Sequence, residues 1–545
     1  MKTRPTVYLS IAVSAVLLAL YIILGARALN LDGLGYAGRV ESNHVRQMLL
    51  PGHLFYGPIM WAIFKLTALF YQNADAARVM QVADSFAGAI GIGVFISALR
   101  RLRVSPFSAT CAGLALAFSY TFWVHSTDLT TYAPSTLCLI CVFYILCRVK
   151  SDSRGVGLYA LAPVLALATF IHQSNVLFAT AALVGIMLLD IRRRWLHALT
   201  FVLIFAVLVT VPYALLGAYA TGRRSPVAIA RWASGSSHGY KPGIEPMSVP
   251  RFAYGFGNSI IYLDDIGTSI KGRMGSIGES RISARRLAVF AAKSAFILAL
   301  LALPIIGLIR RRARISGWRS WAAWVCVAWI LPYTAFALFY FTTDHDRWIM
   351  LLPAVWTLFA VAFPEPSRIG HVVLGAVVAA IFALNLAFAI FPSHLGTNNP
   401  YYMESRAMAP HLVGSDFVIF WGHDHIGTPG YLRLDRGIKT QHIFDLILRY
   451  GKHNGINRLV QMINGAIDDN RRVVIVGLYS PHNRASDYES EAAKLHTDRR
   501  EVIAALDGFE LRPIFKMKGE TVYCYTGRRP RPSGTLVSID EESGK

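Results

Sequence analysis

ALTFVLIFAVLVTVPYALLGAY, residues 198–219, carries no charged side chain over a length that crosses the hydrocarbon core of a bilayer as a helix. Backbone N–H and C=O groups in lipid must be satisfied within the segment, so such a run is helical. Similar runs occur at 7–25, 79–99, 109–124, 132–147, 157–171, 175–189, 287–309, 318–341, 348–363 and 372–391. They predict a multi-pass α-helical membrane protein with about eleven transmembrane helices. Composition agrees: 54% of the 545 residues are hydrophobic and only 16% are charged, against about 25% charged in an average soluble domain. That excludes a soluble enzyme, a disordered regulator and a coiled coil. Segment 53–71 is also apolar. Gly57-Pro58 interrupts it and aromatics crowd it, so it reads as amphipathic and interfacial or half-inserted.

The net charge of +22 is unevenly spread. Residues 398–545 hold 20 Lys+Arg against 18 Asp+Glu, so the excess lies in the loops between spans. No nucleic-acid motif accompanies it, and no nucleic-acid partner is expected. The clusters Lys2/Arg4, Arg100/Arg101/Arg103, Arg148/Lys150/Arg154, 192–194, 310–314 and Arg368 all fall on one side of the spans. The positive-inside rule makes that side, with the N-terminus, cytoplasmic. The opposite, outer side receives 26–52, 125–131, 172–174, 342–347 and everything after 394. It also receives the loop 221–286, whose ten Lys/Arg face four acids; long loops translocate regardless of charge. Its basicity suits either a solvated surface or an anionic ligand.

The predicted organisation is a transmembrane domain at 1–394, with outer loop 26–52, amphipathic segment 53–71 and long outer loop 221–286. A small soluble α/β domain follows at 395–528. Strand-like runs at 416–421, 472–476 and 522–526 and helical patterns at 443–450 and 491–506 mark it. A polar, disordered tail covers 529–545. Five of the six cysteines lie in apolar runs, and no disulfide framework or zinc spacing exists.

Polar residues at the outer ends of helices are candidate site residues, because a charge near lipid is costly. Four groups qualify. The first is Asp32-Gly-Leu-Gly-Tyr36 with Glu41, His44, His53 and Tyr56-Gly-Pro58; a carboxylate beside a membrane-embedded cavity can take a proton from a hydroxyl. The second is Phe122-Trp-Val-His-Ser-Thr-Asp128 with Tyr132 beyond. Asp128 there positions an acceptor or holds a divalent cation, or one of Ser126, Thr127 and Asp128 caps the next helix. The third is Thr342-Thr-Asp344-His-Asp346-Arg347-Trp348. The planar fork of Arg347 suits a lipid phosphate or snorkels to the interface. Asp344 and Asp346 join Asp128 as weak metal candidates. The fourth is His172-Gln173 at a helix mouth, a structural or ligand-contacting histidine. Two further signals are weaker. Gly88-Ala-Ile-Gly91-Ile-Gly93 lies within a span and reads as close helix packing. His423-Asp-His425 reads as a polar loop or a metal site. No P-loop, GxSxG, HExxH or kinase motif is present.

The order of these parts resembles the GT-C superfamily of membrane glycosyltransferases. A first helix is followed by an outer loop with an acidic residue, here Asp32 to Tyr36. An amphipathic segment with a His, aromatic and Pro pattern comes next, here Pro51-Gly-His-Leu-Phe-Tyr-Gly-Pro58. A helix led by Arg78 and ending in basic residues at Arg103 follows. Tyr120-Thr-Phe-Trp123 with Asp128 and Tyr132 is similar to the third-to-fourth helix turn of protein O-mannosyltransferase-like members. Arg347-Trp-Ile-Met-Leu-Leu-Pro353 is similar to a late Arg-aromatic-apolar-Pro motif. The chain departs from the family where Glu41 stands far from Asp32 rather than beside it, and where Leu-Phe-Tyr follows His53.

The resemblance implies an enzyme of the bacterial plasma membrane that uses a polyprenyl-phosphate-linked sugar. Asp32 would be general base, Arg347 would meet the lipid phosphate, and Asp128 and His172 would position sugar or acceptor. Glu41, His53, Tyr36 and Tyr132 would line the site. The acceptor would be a glycan, a lipid or a protein. Two other readings compete: a non-catalytic scaffold, and a transporter or flippase. Transporters tend to carry internal repeats and charges at the midplane, and no repeat is visible here.

Overall fold

Asn30, Asp75 and Ser105 start three helices of the apolar part by accepting a backbone N–H of the first turn, from Asp32, Ala77 and Ser108. Pro106 follows Ser105 at the first helical position, where its missing N–H costs nothing. The computed structural model describes residues 4–152, 155–234, 243, 248–263, 284–310, 317–340, 345–363, 367–421, 427–479, 497–517 and 520–528. It comprises two units, Met1–Asn398 and Asn399–Lys545. The first unit is a multi-pass helical membrane assembly. The second holds a small sheet.

In the first unit, α1 spans Arg4–Ile23, α2 Leu31–Ser42, α3 Tyr56–Phe70 and α4 Ala76–Arg101. Next come α5 at Pro106–Phe118, α6 at Tyr120–Thr127, α7 at Tyr132–Asp152 and α8 at Leu161–Ile171. Five described helical runs are long and apolar enough to cross a membrane: α4, α7, Arg194–Thr221, Gly317–Phe339 and the run that starts at Arg368. The pair α5 and α6 makes a sixth if counted as one span, bent by 66°. The remaining expected spans fall on shorter apolar helices, Val7–Ile23, Gly157–Ile171, Gln173–Met187, Leu287–Leu303 and Leu352–Ala362. A polar turn at Ser119 divides the pair α5 and α6, and one at His172 separates Gly157–Ile171 from Gln173–Met187.

The apolar segment 53–71 becomes α3 from Tyr56 to Phe70, with Leu66, Leu69 and Phe70 exposed along one side. Among the described residues of the loop 221–286, Pro226–Ser234 and Ser248–Ile260 are helices that the sequence reading left within a loop.

The second unit is built on a sheet of order β2-β1-β3-β5-β4. Strands β1 (Phe417–Phe420), β2 (Lys439–His442) and β3 (Val473–Val476) pair in parallel. Strand β5 (Glu520–Arg528) runs antiparallel to β3 and forms a hairpin with β4 (Phe509–Met517). Central strands of a parallel sheet are buried on both faces and read as unbroken apolar runs. FVIF and VVIV meet that pattern and are buried throughout. Phe417, Ile419, Val473 and Ile475 pack on one side, and Val418, Phe420, Val474 and Val476 on the other. Edge strands β2 and β4 lack such a run and were not expected. The expected helix at 443–450 is present; of the one expected at 491–506, Arg499–Ala505 is helical and 491–496 lies outside the described residues. His423, His425 and the tail 529–545 lie outside the described residues.

Candidate active site

The bend between α5 and α6 creates the polar interior of the first unit. At its apex the Ser119 hydroxyl donates to the Ala115 carbonyl (2.7 Å) and accepts the Trp356 indole N–H (3.0 Å). The bend directs α6 inward, so Thr121, His125, Ser126, Thr127 and Asp128 are buried in protein rather than left in lipid. Helix α4 lies close against α6. A Cβ at Gly88 would run into Ser126 Oγ and lie 2.7 Å from its Cβ, which is why glycine stands there.

Asp128 ends α6 but caps no helix after it. Both of its oxygens accept the Asn30 N–H (3.0 Å each), and Oδ1 also accepts the Leu129 N–H (2.6 Å). The turn after α6 is thereby tied to the start of α2. Gly33 permits the approach, since a Cβ there would collide with the Leu129 carbonyl. Asp32 occupies the first turn of α2 and is exposed, with its amide held by Asn30 Oδ1 (2.8 Å).

From α2 a chain of ring contacts crosses the unit. Tyr36 meets Tyr56 (centroids 5.3 Å) and His53 (5.8 Å) edge-on. His53 meets His172 (4.8 Å), His172 meets Tyr132 (5.0 Å), and Tyr132 meets His125 (4.6 Å). His125 Nε2 lies 3.0 Å from Asp346 Oδ1. Residue 346 adjoins Arg347 in the 3-10 helix His345–Met350, and Arg347 acts electrostatically on His172. His53 Nδ1 donates to the Ile171 carbonyl (3.1 Å), which fixes its tautomer. His172 Nδ1 and Ser174 Oγ share a hydrogen bond of 2.8 Å.

Burial sets the charge states here. It pushes the Asp128 carboxyl up to about 6, against the pull of its N–H donors. Burial, reinforced by His53 and the Arg347 charge, holds His172 well below the usual imidazole range, so it is neutral. Burial and the Asp32 charge push the Tyr36 phenol up, so it keeps its proton. The array is thus a hydrogen-bonding wall in which Tyr36 and His172 are neutral, with an exposed carboxylate at one end and a guanidinium toward the other.

Of the residues singled out in the sequence, Tyr36, His53, Tyr132 and His172 are brought into contact. Asp32 and Arg347 act electrostatically on members of that set. Glu41 is exposed in the last turn of α2 and takes no part in these ring contacts. Asp344 lies outside the described residues. Among the described residues, no three His, Cys, Asp or Glu side chains come together to hold a metal.

Two functional candidates escaped the sequence reading. His125, 1% exposed, was passed over within its motif. Asp84, fully buried in α4, accepts the Tyr56 O–H (3.1 Å) and the Thr130 N–H (2.8 Å). It is the sole acid of the run 79–99, and a lone intramembrane carboxylate is itself a signal of function.

Residues 52–215 match the profile of the dolichyl-phosphate-mannose-protein mannosyltransferase family. No curated protein sequence matches the chain. Among solved structures, ArnT from Cupriavidus metallidurans bound to undecaprenyl phosphate is similar over 96% of this chain and 98% of its own, at 14% identity and a TM-score of 0.49. Its apo state gives the same coverage at a TM-score of 0.45. The Archaeoglobus fulgidus oligosaccharyltransferase, in complex with zinc and sulfate, is similar over 85% of this chain and 67% of its own, at 12% identity and 0.41. The family match contains His53, Tyr56, Asp84, His125, Asp128, Tyr132 and His172, and so most of the array. Over residues 52–215 the resemblance to the GT-C superfamily read from the sequence is borne out by this match; Asp32, Tyr36 and Arg347 lie outside the matched residues.

Proposed function

We propose that the chain is a membrane glycosyltransferase that moves a sugar from a polyprenyl-phosphate carrier to an acceptor hydroxyl. One observation carries this reading. Five separate segments contribute to a single array that runs from an exposed carboxylate, Asp32, to a guanidinium, Arg347, across hydrogen-bonding rings. A sugar offers hydroxyls and an apolar ring face, and such a wall suits both.

In the proposed reaction Asp32 takes the proton of the acceptor hydroxyl. The acceptor oxygen forms its bond to the anomeric carbon as the bond from that carbon to the carrier phosphate breaks. The electron pair leaves with the phosphate, and the charge that develops there is met by Arg347. Displacement from the opposite face inverts the anomeric configuration. Asp128, held on the start of α2, sets where Asp32 stands, and His172, His53, Tyr36 and Tyr132 position sugar and acceptor. A hexose and a pentose are both compatible with this wall, as are glycan, lipid and protein acceptors. A divalent cation has no step in this scheme.

The proposed setting is the bacterial plasma membrane, with the N-terminus cytoplasmic and the C-terminal α/β unit on the outer side, an orientation that the distribution of the basic loops supports. The C-terminal unit is proposed to recognise the acceptor.

The test is turnover of radiolabelled polyprenyl-phosphate sugars by protein in lipid nanodiscs. Wild type is expected to consume at least one donor, and Asp32→Asn to lose about 10²–10⁴-fold in kcat, the range of general-base contributions. Arg347→Ala is expected to weaken donor binding with the fold intact. A folded wild type that neither binds nor consumes any donor sinks the reading in favour of a scaffold or transporter.

A further inference from the structure

Asp84 is 0% exposed within a membrane-spanning helix, a place where a carboxylate is costly without a task. Its Oδ2 takes two donors from different parts of the unit. One is the hydroxyl of Tyr56, the first residue of α3 (3.1 Å); the other is the Thr130 N–H in the turn after α6 (2.8 Å). Among the described residues its Oδ1 has no hydrogen-bond partner. Neither donor is in its own helix, so Asp84 contributes nothing to the cap or pitch of α4.

Both donors lead to the proposed site. Tyr56 packs edge-on against Tyr36, and Tyr36 stands one helical turn beyond Asp32 on α2. Thr130 follows Asp128 and Leu129. Asp128 holds the Asn30 N–H at the start of α2, and the Leu129 carbonyl lies against Gly33. Two routes, one through rings and one through backbone, therefore run from Asp84 to the two sides of α2. None of these contacts reaches the 3-10 helix that carries Arg347.

We infer that Asp84 is a positioning residue. It pins α3 and the Asp128 turn to one rigid helix and thereby sets the height and orientation of α2, and with it Asp32, relative to Asp128. The inference rests on the reading of Asp32 as the base. It differs from that reading in assigning Asp84 no contact with substrate: the role belongs to an acceptor oxygen at a fixed point, and negative charge is not required.

That distinction gives the test. An amide at position 84 presents an oxygen to Tyr56 and Thr130 and puts its NH₂ where Oδ1 has no partner. In full-length protein in nanodiscs, Asp84→Asn is expected to keep kcat within about threefold of wild type, because both donors retain an acceptor. Asp84→Ala leaves both donors without one. Its kcat per folded molecule is expected to fall about 10–100-fold, as for a misplaced reacting group, while KM for the lipid donor stays within about twofold. Tyr56→Phe removes a single hydrogen bond and is expected to fall between them.

Amide hydrogen exchange supplies a readout that does not depend on turnover. Asp84→Ala is expected to speed exchange in segments 30–36 and 127–131 together, and Asp84→Asn in neither. If wild type turns over no donor, the function reading fails, and the exchange pattern still decides the positioning role. Should Asp84→Ala not fold, Asp84→Asn and Tyr56→Phe decide. An Asp84→Asn variant as inactive as a base knockout overturns the inference and assigns the carboxyl a chemical role. Unchanged kcat and exchange in Asp84→Ala or Tyr56→Phe overturn it too.

Discussion

Helices Ala76–Arg101 and Arg194–Thr221 have nearly the same length, and both can cross a bilayer. In the first, 67% of the most apolar window is buried inside the protein; in the second, 17%. Arg194–Thr221 presents Leu203, Val207, Val211 and Leu215 outward and carries no ionisable group between His197 and Tyr213. Ala76–Arg101 carries Gln81, Asp84, Ser85 and the glycines at 88, 91 and 93, and it touches α1, α6 and α7. The helix with the plainest hydropathy is therefore the rim, and the less apolar one is the axis of the site. Lipid gives little reason for two apolar helices to associate, so close packing and hydrogen bonds decide which helices are central. The polar and small residues of a span, rather than its apolarity, report its place.

The largest effect expected from this contrast is at Gly88. Any side chain there must displace Ser126, which is hydrogen-bonded on both sides, through its hydroxyl to Phe122 and through its carbonyl to Ser85. Gly88→Leu is expected to cost about 3 kcal/mol or more of stability, beyond ordinary overpacking, and to depress turnover by moving His125 and Asp128 with α6. Thermal unfolding in nanodiscs checks the first part. A Gly88→Leu protein that unfolds as wild type does would show that α4 and α6 are not close-packed, and the contrast between axis and rim would fall with it.

The same contrast explains what could be read from the sequence. The multi-pass helical class was legible because eleven apolar runs leave one structural solution in lipid. Strands β1 and β3 were legible because central parallel strands are apolar throughout, whereas Lys439–His442 and Phe509–Met517 at the sheet edges have no such pattern. In the site, Tyr36, His53, Tyr132 and His172 were found because they stand with charged and polar residues at the outer ends of helices, where a charge near lipid is costly, and within stretches that resemble GT-C motifs. Their mutual contact was invisible, because it joins residues 36, 53, 132 and 172 from four separate parts of the chain and depends on how their helices pack. Asp84 was missed for the opposite reason. Attention to helix ends passed over the acid within a helix, although its isolation in an apolar run was in plain view.

Asp128 offers a moderate effect, and its sign can be worked out. Its carboxyl is raised from 3.8 to about 6 by burial. Between those values the folded state holds a proton that the unfolded state has released, so stability falls as pH rises from about 4 to 6 and is level above. Ionised Asp128 therefore costs stability at neutral pH. Function pulls the other way, because the ionised form is the better acceptor for the Asn30 and Leu129 N–H groups that fix α2. Asp128→Asn is expected to raise the unfolding temperature at pH 7.5, with the gain shrinking toward pH 5, and to lower donor turnover. Stability and turnover falling together at pH 7.5 would mean that the N–H bonds outweigh burial.

The smallest effect is expected on the rim, and it is informative because it should be near zero. Leu203 and Leu215 are 57% and 67% exposed on Arg194–Thr221, a surface that meets lipid tails if the helix is peripheral. Shortening either side chain exchanges one apolar neighbour for another, and no buried cavity opens. Leu203→Ala and Leu215→Ala are therefore expected to change stability by less than about 0.5 kcal/mol, as surface substitutions do, and to leave donor turnover unchanged. A loss of about 2 kcal/mol at either position has one physical source, a protein surface packed where lipid is expected. The rim would then be an interface, and the low burial of this helix would belong to the isolated chain rather than to the protein at work in the membrane.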